Sequence, residues 1–235
     1  MVPKHILYTY EESIRLGYGI FYLGKKHQCN IYNHQLRRFV VTSTEEKLCP
    51  FCGSLSRTRR LYNLLSNEYK LSNKVLHFSP SRCLYRRLKQ KKGLQYYSSD
   101  FENEFIADHH YDITKIPVED NFFDFIICYH ILERIQNDKL AIQELYRVLK
   151  TNGTILIQTP FKDGQTYEND TITSPEDRLK HFGQEDHCRI YSAHDLKKRL
   201  EATNFAKIKI REFSNNDKND IYGLKATEAI IEVIK

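Results

Sequence analysis

The sequence predicts an α/β fold with a Rossmann-like, mostly parallel sheet that ends in an antiparallel C-terminal hairpin. Three observations lead to this prediction. Strand and helix patterns alternate between residues 74 and 161, a continuous apolar run covers residues 122–129, and an amphipathic helix follows that run. This alternation is typical of parallel sheets that helices cover on both faces.

Each element is predicted from its apolar pattern and from its boundary residues. The helix that begins near Ala141 repeats apolar residues at helical spacing and is expected to stop at Asn152-Gly153. Ser192 is the expected N-cap of the last helix. The third strand is placed mainly by its position in the order. In full, strands are predicted at 74–79, 94–98, 109–113, 122–129, 154–159, 206–213 and 226–234, and helices at 56–69, 84–91, 141–149 and 192–203.

The chain of 235 residues is expected to form two parts. Residues 1–70 form a small accessory element with two close cysteines and a connecting helix, and residues 71–235 form the α/β domain. The formal net charge is +6, with basic blocks at residues 57–60 and 86–92. Such blocks are either a solvated face or a docking surface for an anionic substrate or RNA, and they match no nucleic-acid-binding motif.

Compartment and membrane association are predicted from apolar runs and cysteine usage. No run approaches the roughly 20 apolar residues of a membrane span, and the N-terminus lacks the apolar centre of a signal peptide. Of the six cysteines, only Cys49 and Cys52 are closely spaced. We therefore expect a cytoplasmic protein with no membrane insertion and no structural disulfide.

The residues at the carboxyl ends of the predicted strands are the candidate cofactor contacts, because open α/β sheets bind ligands there. A carboxylate after the second strand accepts ribose hydroxyls, and polar groups after the third meet an adenine amino group. Asp100 and Asp112 hold these positions, although aspartates are also common in turns at strand ends. The candidates are His77, Phe78, Ser79, Pro80, Asp100, Asp112, Ile113, Tyr129 and His130.

Two long motifs in this region carry a family resemblance. Residues 111–135 read YDITKIPVEDNFFDFIICYHILERI, and residues 144–153 read ELYRVLKTNG. Both resemble the signatures of class I S-adenosylmethionine-dependent methyltransferases, in which an aspartate, a Phe-Asp strand and a Leu-Glu-His segment precede an Arg-Val-Leu-Lys-Pro-Gly-Gly turn. The resemblance implies a Rossmann-like methyltransferase sheet and S-adenosylmethionine as cofactor.

Two further motifs extend the resemblance to a bacterial subgroup with a cysteine-rich N-terminal element. They are CPFCGSLSRTR at residues 49–59 and HFGQEDHCRIY at residues 181–191. The chain departs from the family at three places: the glycine loop is replaced by residues 77–82, the histidine of Leu-Glu-His is Arg134, and Pro-Gly-Gly is Thr151-Asn152-Gly153. These departures leave a catalytically inactive homologue open as an alternative.

A structural zinc ion is predicted in the accessory element. Cys49 and Cys52 have the spacing of a zinc knuckle. The resemblance implies a second cysteine pair, of which Cys29 is present while Tyr32 stands at the other position. His34 or His27 would complete the ligand set of Cys29, Cys49 and Cys52. The alternative is a knuckle that ordinary packing holds without metal.

The candidate catalytic residues lie after the fourth strand and in the segment before the last helix. His130 follows the strand, and an extended segment would put His187, Arg189 and Tyr191 on one face. We hypothesise that His187, oriented by Asp186, acts as a general base and that Arg189 pairs with an anionic group of the acceptor. A structural network that fixes this segment to the sheet is the alternative.

The sequence thus predicts an enzyme that transfers a methyl group from S-adenosylmethionine to an oxygen or nitrogen of a small or conjugated metabolite. An RNA or protein methyltransferase is the second reading, with the knuckle and basic residues as the docking surface. The third is a binding module with a methyltransferase fold and no catalytic activity.

Overall fold

The computed structural model describes residues 4–69, 71–214 and 220–235. The predicted boundary at residue 70 and part of the predicted connection between the last two strands lie outside these residues. The chain divides into two compact units, each assembled from three stretches. The first comprises Met1–Leu71, Ser81–Gln90 and Ser214–Glu228, and the second comprises Ser72–Pro80, Lys91–Phe213 and Ala229–Lys235.

The described residues contain six α-helices and twelve strands. The helices are α1 (Lys4–Gly19), α2 (Ser56–Asn67), α3 (Arg82–Lys89), α4 (Asp138–Val148), α5 (Pro175–Phe182) and α6 (Ala193–Glu201). The strands are β1 (Leu23–Cys29), β2 (His34–Leu36), β3 (Val40–Val41), β4 (Lys47–Leu48), β5 (Asn73–Phe78), β6 (Leu94–Ser99), β7 (Phe123–Tyr129), β8 (Leu149–Gln158), β9 (Tyr167–Glu168), β10 (Arg189–Ile190), β11 (Lys207–Ser214) and β12 (Thr227–Ile234).

The second unit is built on a sheet of six strands in the order β11-β12-β8-β7-β5-β6. Neighbouring strands from β6 to β8 are parallel, and β12 pairs antiparallel with β8. This arrangement confirms the predicted Rossmann-like sheet with an antiparallel C-terminal pair. The strand order reverses at β5, whose neighbours are β6 and β7, so a ligand crevice is expected beyond the carboxyl ends of these strands.

The core of the second unit lies against this sheet. The central strands β5, β7 and β8 contribute fully buried residues such as Leu76, Ile126 and Ile155. Helix α4 covers them with the predicted apolar stripe, in which Ala141 and Leu145 have no exposed surface. Each such side chain of leucine size contributes about 1.5–3 kcal/mol through burial, which fixes the strand ends that form the candidate site.

Three elements differ from the sequence prediction. Residues 109–113 form no strand, because this segment is polar and turns at Asp112. One parallel bridge joins His109 to Ser99. The α4 helix already ends at Val148, and Asn152 and Gly153 lie within β8, where the register with β7 shifts. Between residues 159 and 192, where no element is predicted, the chain contains α5, whose polar sequence buries Phe182. The predicted N-cap of α6 is confirmed, since the Ser192 hydroxyl accepts a hydrogen bond from the Asp195 amide.

The first unit contains α1, α2, α3 and the small hairpins β1–β2 and β3–β4. Its centre is Arg59 of α2, a fully buried side chain. The Arg59 guanidinium donates hydrogen bonds to the carbonyl oxygens of Ser54, Tyr222, Gly223 and Lys47, at 2.5, 2.6, 2.8 and 2.9 Å. One charged group therefore joins distant parts of this unit. None of the helices in the described ranges is long and apolar enough to cross a membrane.

Candidate active site and thiol cluster

The loop after β5 has the backbone shape of a glycine turn without a glycine. Ser79 has a φ of +42°, in the left-handed region that favours glycine. Its hydroxyl donates a hydrogen bond of 2.6 Å to Oδ1 of Asp100, which directly follows β6. The serine side chain thus ties the carboxyl end of β5 to that of β6 at the predicted cofactor edge.

Asp100 is almost completely buried and organises the loop that follows it. Its Oδ2 accepts hydrogen bonds from the amides of Glu104 and Phe105, at 2.6 and 3.0 Å. These contacts are those of a turn aspartate. They do not use up the carboxylate, because its two oxygens offer about four acceptor positions. Asp100 therefore has acceptor capacity for a ribose hydroxyl as well.

The other predicted cofactor contacts on this side lie partly in the core. His77 is buried and its Nδ1 hydrogen-bonds with the Tyr96 hydroxyl at 2.9 Å; burial lowers its pKa to about 3, so it is neutral. Phe78 and Ile113 belong to the apolar core. Asp112 accepts hydrogen bonds from the amide and hydroxyl of Thr114, at 2.8 and 2.7 Å. The side chains of His77, Phe78 and Ile113 are therefore part of the core, and only their backbone groups are available to a ligand. Asp112 stabilises a turn.

A second set of polar groups lies at the carboxyl ends of β7 and β8. Tyr129 ends β7, and His130 follows it with a φ of +57°. The His130 amide donates a 2.7 Å hydrogen bond to the Gln158 carbonyl oxygen, which joins the two strand ends. Strained backbone of this kind, in a non-glycine residue, is frequent at functional sites. The side-chain oxygens of Gln158 and Thr159 are buried and accept no hydrogen bond from any described group.

Glu133 is the residue at this site that the sequence analysis did not single out. It is 1% exposed, and within the described part of the chain neither of its carboxylate oxygens has a hydrogen-bond partner. Its Oε1 lies 3.4 Å from Nδ1 of His130. A buried carboxylate without a hydrogen bond is costly, which indicates that a bound ligand donates to it or that it shares a proton with His130. Its sequence signal is a pair of charged residues, Glu133 and Arg134, between apolar residues at 131–132 and 135.

His187 lies near this carboxylate. Burial lowers the pKa of the His187 imidazole, and the charges of Glu133 and then Asp186 oppose that effect in part. His187 is therefore neutral at neutral pH, which is the form that accepts a proton. Asp186 itself is half exposed, and its Oδ2 forms a 2.8 Å ion pair with Arg134.

Arg189 and Tyr191 are held by other contacts. The Arg189 guanidinium donates to the carbonyl oxygens of Leu132, Ile135 and Gln136 and pairs with Glu168 at 2.9 Å. The fully buried Tyr191 donates a 2.6 Å hydrogen bond to Asp138. These contacts support the structural alternative for both residues, because they fix the segment beside Glu133.

The first unit contains the predicted metal ligands. The thiols of Cys29, Cys49 and Cys52 lie within 4.8 Å of one another, and those of Cys29 and Cys52 are 3.5 Å apart. Hydrogen bonds with the other two thiols raise the pKa of Cys49, since crowded thiols resist ionisation without a cation. His34 does not belong to this group of ligand atoms, and its ring stacks on Phe51 with 4.3 Å between centroids.

A family model for the methyltransferase domain matches residues 55–210 of this chain. The chain belongs to the methyltransferase domain family. The search of curated proteins gives no match to the sequence of this methyltransferase. Its fold is that of the S-adenosylmethionine-dependent enzymes of class I.

Solved structures agree with this assignment of the fold. A S-adenosylmethionine-dependent methyltransferase from Archaeoglobus fulgidus is 16% identical, with a TM-score of 0.54 over 76% of this chain and 91% of that one. The 1,6-didemethyltoxoflavin-N1-methyltransferase of Burkholderia thailandensis, solved with 1,6-didemethyltoxoflavin and S-adenosylhomocysteine, is 14% identical, with a TM-score of 0.51 over 76% and 77%. At these identities the likeness establishes the fold.

The polar groups of the methyltransferase fit the cofactor that its family uses. S-Adenosylmethionine carries hydrogen-bond donors on its ribose, adenine and ammonium groups. The carboxyl edge offers matching acceptors in Asp100, Glu133, Gln158 and Thr159, of which the last three have buried oxygens without a partner among the described residues. These unpaired acceptors are what a bound donor-rich ligand would satisfy.

Proposed function

We propose that the methyltransferase transfers a methyl group from S-adenosylmethionine to an oxygen or nitrogen of a small or conjugated metabolite. The observation that carries this proposal is the buried carboxylate of Glu133, which accepts no hydrogen bond from a described group and lies 3.4 Å from His130, near a neutral His187. S-Adenosylmethionine supplies a methyl group on a positively charged sulfur. The protein has to bind that cofactor, exclude water and remove a proton from the acceptor.

The cofactor would be held along the ends of β5, β6 and β7. Asp100 would accept the ribose hydroxyls, and the turn at Asp112 and Ile113 would receive the adenine. The backbone from His77 to Pro80 would approach the amino-acid part, where the positive φ of Ser79 supports the same turn as a glycine. Tyr129 and His130 would then border the methyl group.

His187 would act as the general base. Its neutral imidazole accepts the proton of an acceptor hydroxyl or amine and becomes an imidazolium. The nearby carboxylate of Glu133 would stabilise that positive charge, whereas the sequence predicts that Asp186 orients His187. Asp186, Arg189 and Tyr191 would position the segment that carries His187.

The pairing of the basic residues favours a small acceptor over RNA. Within the first unit, Arg60 forms a 2.6 Å ion pair with Glu228, and Arg82 forms one of 2.6 Å with Glu11. Arg59 is buried and faces carbonyl oxygens. The basic block at residues 57–60 is thus largely occupied within the protein, and phosphate contacts require free cations.

We propose in addition that Cys29, Cys49 and Cys52 bind a structural zinc ion. The approach of three thiols supports this proposal, because zinc sites of proteins are built from such clusters. Only Cys49 and Cys52 of the six cysteines are closely spaced in the sequence, a pattern that supports a cytoplasmic enzyme in a reducing compartment.

Binding of the cofactor product and transfer of label test the function. We expect S-adenosylhomocysteine to bind with one-to-one stoichiometry in calorimetric titration. The enzyme is then given S-adenosylmethionine with a tritiated methyl group and, separately, the small-molecule, RNA and protein fractions of a cell extract. Label in the small-molecule fraction supports the proposal, and label in RNA or protein overturns the acceptor class. A folded protein that binds no S-adenosylhomocysteine at millimolar concentration would be a binding module.

Paired substitutions test the base. We expect His187→Asn to lower turnover by about 100-fold or more, with unchanged affinity for S-adenosylhomocysteine. Glu133→Gln should lower turnover and move the acid limb of the pH profile to lower pH, because the imidazolium loses its stabilising charge. Asp186→Asn is the control, with an effect of less than about threefold, since that carboxylate is half exposed and paired with Arg134. A larger effect of Asp186→Asn than of Glu133→Gln would reverse these two roles.

A further inference from the structure

A fourth cysteine adjoins the thiol cluster. Cys83 lies in the first turn of α3, is 2% exposed, and its thiol lies near that of Cys52. Both residues line one cavity of about 160 Å³ in the first unit. The Ser81 hydroxyl is 3.5 Å from the Cys83 sulfur and is a donor for a thiolate. In the sequence, Cys83 is more than 30 residues from Cys52 and lies within the predicted α/β domain of residues 71–235.

Structural zinc is bound by four ligands, so the triad of Cys29, Cys49 and Cys52 needs one more. Four sulfurs at about 2.3 Å from a tetrahedral zinc ion are about 3.8 Å from one another. The 3.5 Å between the Cys29 and Cys52 sulfurs and the 4.8 Å limit of the triad are close to that value. The Cys83 sulfur lies outside the tight triad but lines the same cavity as Cys52, the most exposed member of the triad, and it would have to move toward the triad to bind the ion.

The charge of Arg59 gives independent support. This guanidinium is fully buried, and its hydrogen bonds go to uncharged acceptors; no ion pair joins it to a carboxylate in the described ranges. The negative charges that act on it are those of the Cys29, Cys49 and Cys52 sulfurs when they are ionised, followed by the carboxylate of Asp220. A buried cation whose counter-charges are weak is costly. Zinc with four thiolates carries a net charge of about −2 and would compensate it.

We propose that Cys83 is the fourth ligand and that the chain binds zinc through Cys29, Cys49, Cys52 and Cys83. This inference rests on the proposed zinc site and assigns its fourth ligand. The ion would then join strand β1, the turn at residues 49–52 and the start of α3, three stretches that are remote in sequence.

X-ray absorption at the zinc edge of the purified full-length protein tests the ligand count. We expect one zinc per chain with four sulfurs at about 2.3 Å. Three sulfurs and one nitrogen would overturn the role of Cys83 and leave the zinc site in place. No stoichiometric zinc in protein from zinc-supplemented growth would overturn the site and the inference together.

Matched variants test the residue. We expect Cys83→Ser to weaken zinc binding by more than about 100-fold in competition with a chromophoric chelator, since losing even an outer-shell partner costs 10- to 100-fold. Cys188→Ser, which changes another buried cysteine, and His34→Phe should both retain wild-type affinity. Loss of zinc from His34→Phe but not from Cys83→Ser would contradict the inference. If Cys83→Ser does not fold, the sulfur count of the wild-type protein decides.

Discussion

Ser79 combines a backbone angle that favours glycine with a side chain that glycine lacks. Its left-handed conformation costs of order 1 kcal/mol or more, and its hydroxyl contributes a hydrogen bond to the charged Asp100, which is worth roughly 1.5–3 kcal/mol. The serine therefore substitutes for the glycine of the family in shape and adds a link between two strand ends. The cost of the backbone strain and the gain from the hydrogen bond are therefore of similar magnitude.

A pair of variants separates these two terms. We expect Ser79→Ala to lower the free energy of unfolding by about 2 kcal/mol, because it loses the hydrogen bond and keeps the strain. Ser79→Gly should be the more stable of the two by about 1 kcal/mol, because glycine adopts the angle without strain. Urea denaturation measures both. Equal stabilities would show that the angle carries no cost here.

His77 makes the stability of the second unit sensitive to acid. Its pKa is about 3 in the folded protein, below the ordinary value of 6.5, so the unfolded chain takes up its proton first as the pH falls. Stability contributed by the neutral imidazole is complete above about pH 6.5 and is lost toward pH 3, by about 1 kcal/mol per pH unit. We expect urea denaturation to show this slope and His77→Phe to reduce it. An unchanged slope would assign the acid sensitivity to other groups.

At the scale of elements, the sequence predicts best where one physical effect dominates. The apolar run of β7 and the stripe of α4 identify a covered strand and its helix, because burial outweighs every other term there. Residues 109–113 fail as a strand because hydrogen bonds of Asp112 to Thr114 compete with sheet pairing. Helix α5 buries one residue, so its sequence carries little apolar periodicity.

The same reasoning explains what was missed in the site. Glu133 was hidden because a family motif accounted for it, and its unpaired burial is visible only in three dimensions. Cys83 has no nearby cysteine in the sequence, and pairs of close cysteines are the signal on which metal predictions depend. Asp100 directly follows β6, as predicted, because strand ends of a parallel sheet share one edge; its role toward a cofactor stays a prediction.

Helix α2 provides a test at this scale through two neighbouring arginines. Arg59→Lys should lower the free energy of unfolding by about 3 kcal/mol or more, because one ammonium group cannot reach four carbonyl oxygens that are then left unpaired. Arg57→Lys changes an arginine whose 3.2 Å ion pair with Glu46 is partly exposed, and should cost less than about 0.5 kcal/mol. Calorimetric or urea unfolding compares them. Similar losses would mean that Arg59 is not the organising residue.

For the whole molecule, the net charge overstates the number of cationic side chains that are free to contact a nucleic acid. The chain carries +6, yet many of its arginines are engaged in ion pairs or with carbonyl oxygens. Electrostatic attraction for nucleic acid should therefore be weaker than the composition suggests.

Binding of single-stranded RNA checks this expectation. We expect fluorescence anisotropy at 150 mM salt to show no saturation below about 100 μM RNA and a shallow dependence on salt. Tight binding with a steep loss between 50 and 200 mM salt would return the RNA methyltransferase reading to first place.

The first unit is assembled from three stretches, with pieces of the second unit between them in the chain. Arg59 reaches carbonyl oxygens that lie more than 160 positions later, at Tyr222 and Gly223. The cysteine-rich element is therefore not one contiguous segment, and a single recombination event could not add it to a methyltransferase or remove it. Deletion of residues 1–70 would also leave the carbonyl oxygens of Tyr222 and Gly223 without Arg59, so we expect residues 1–70 and 214–228 to be inherited together.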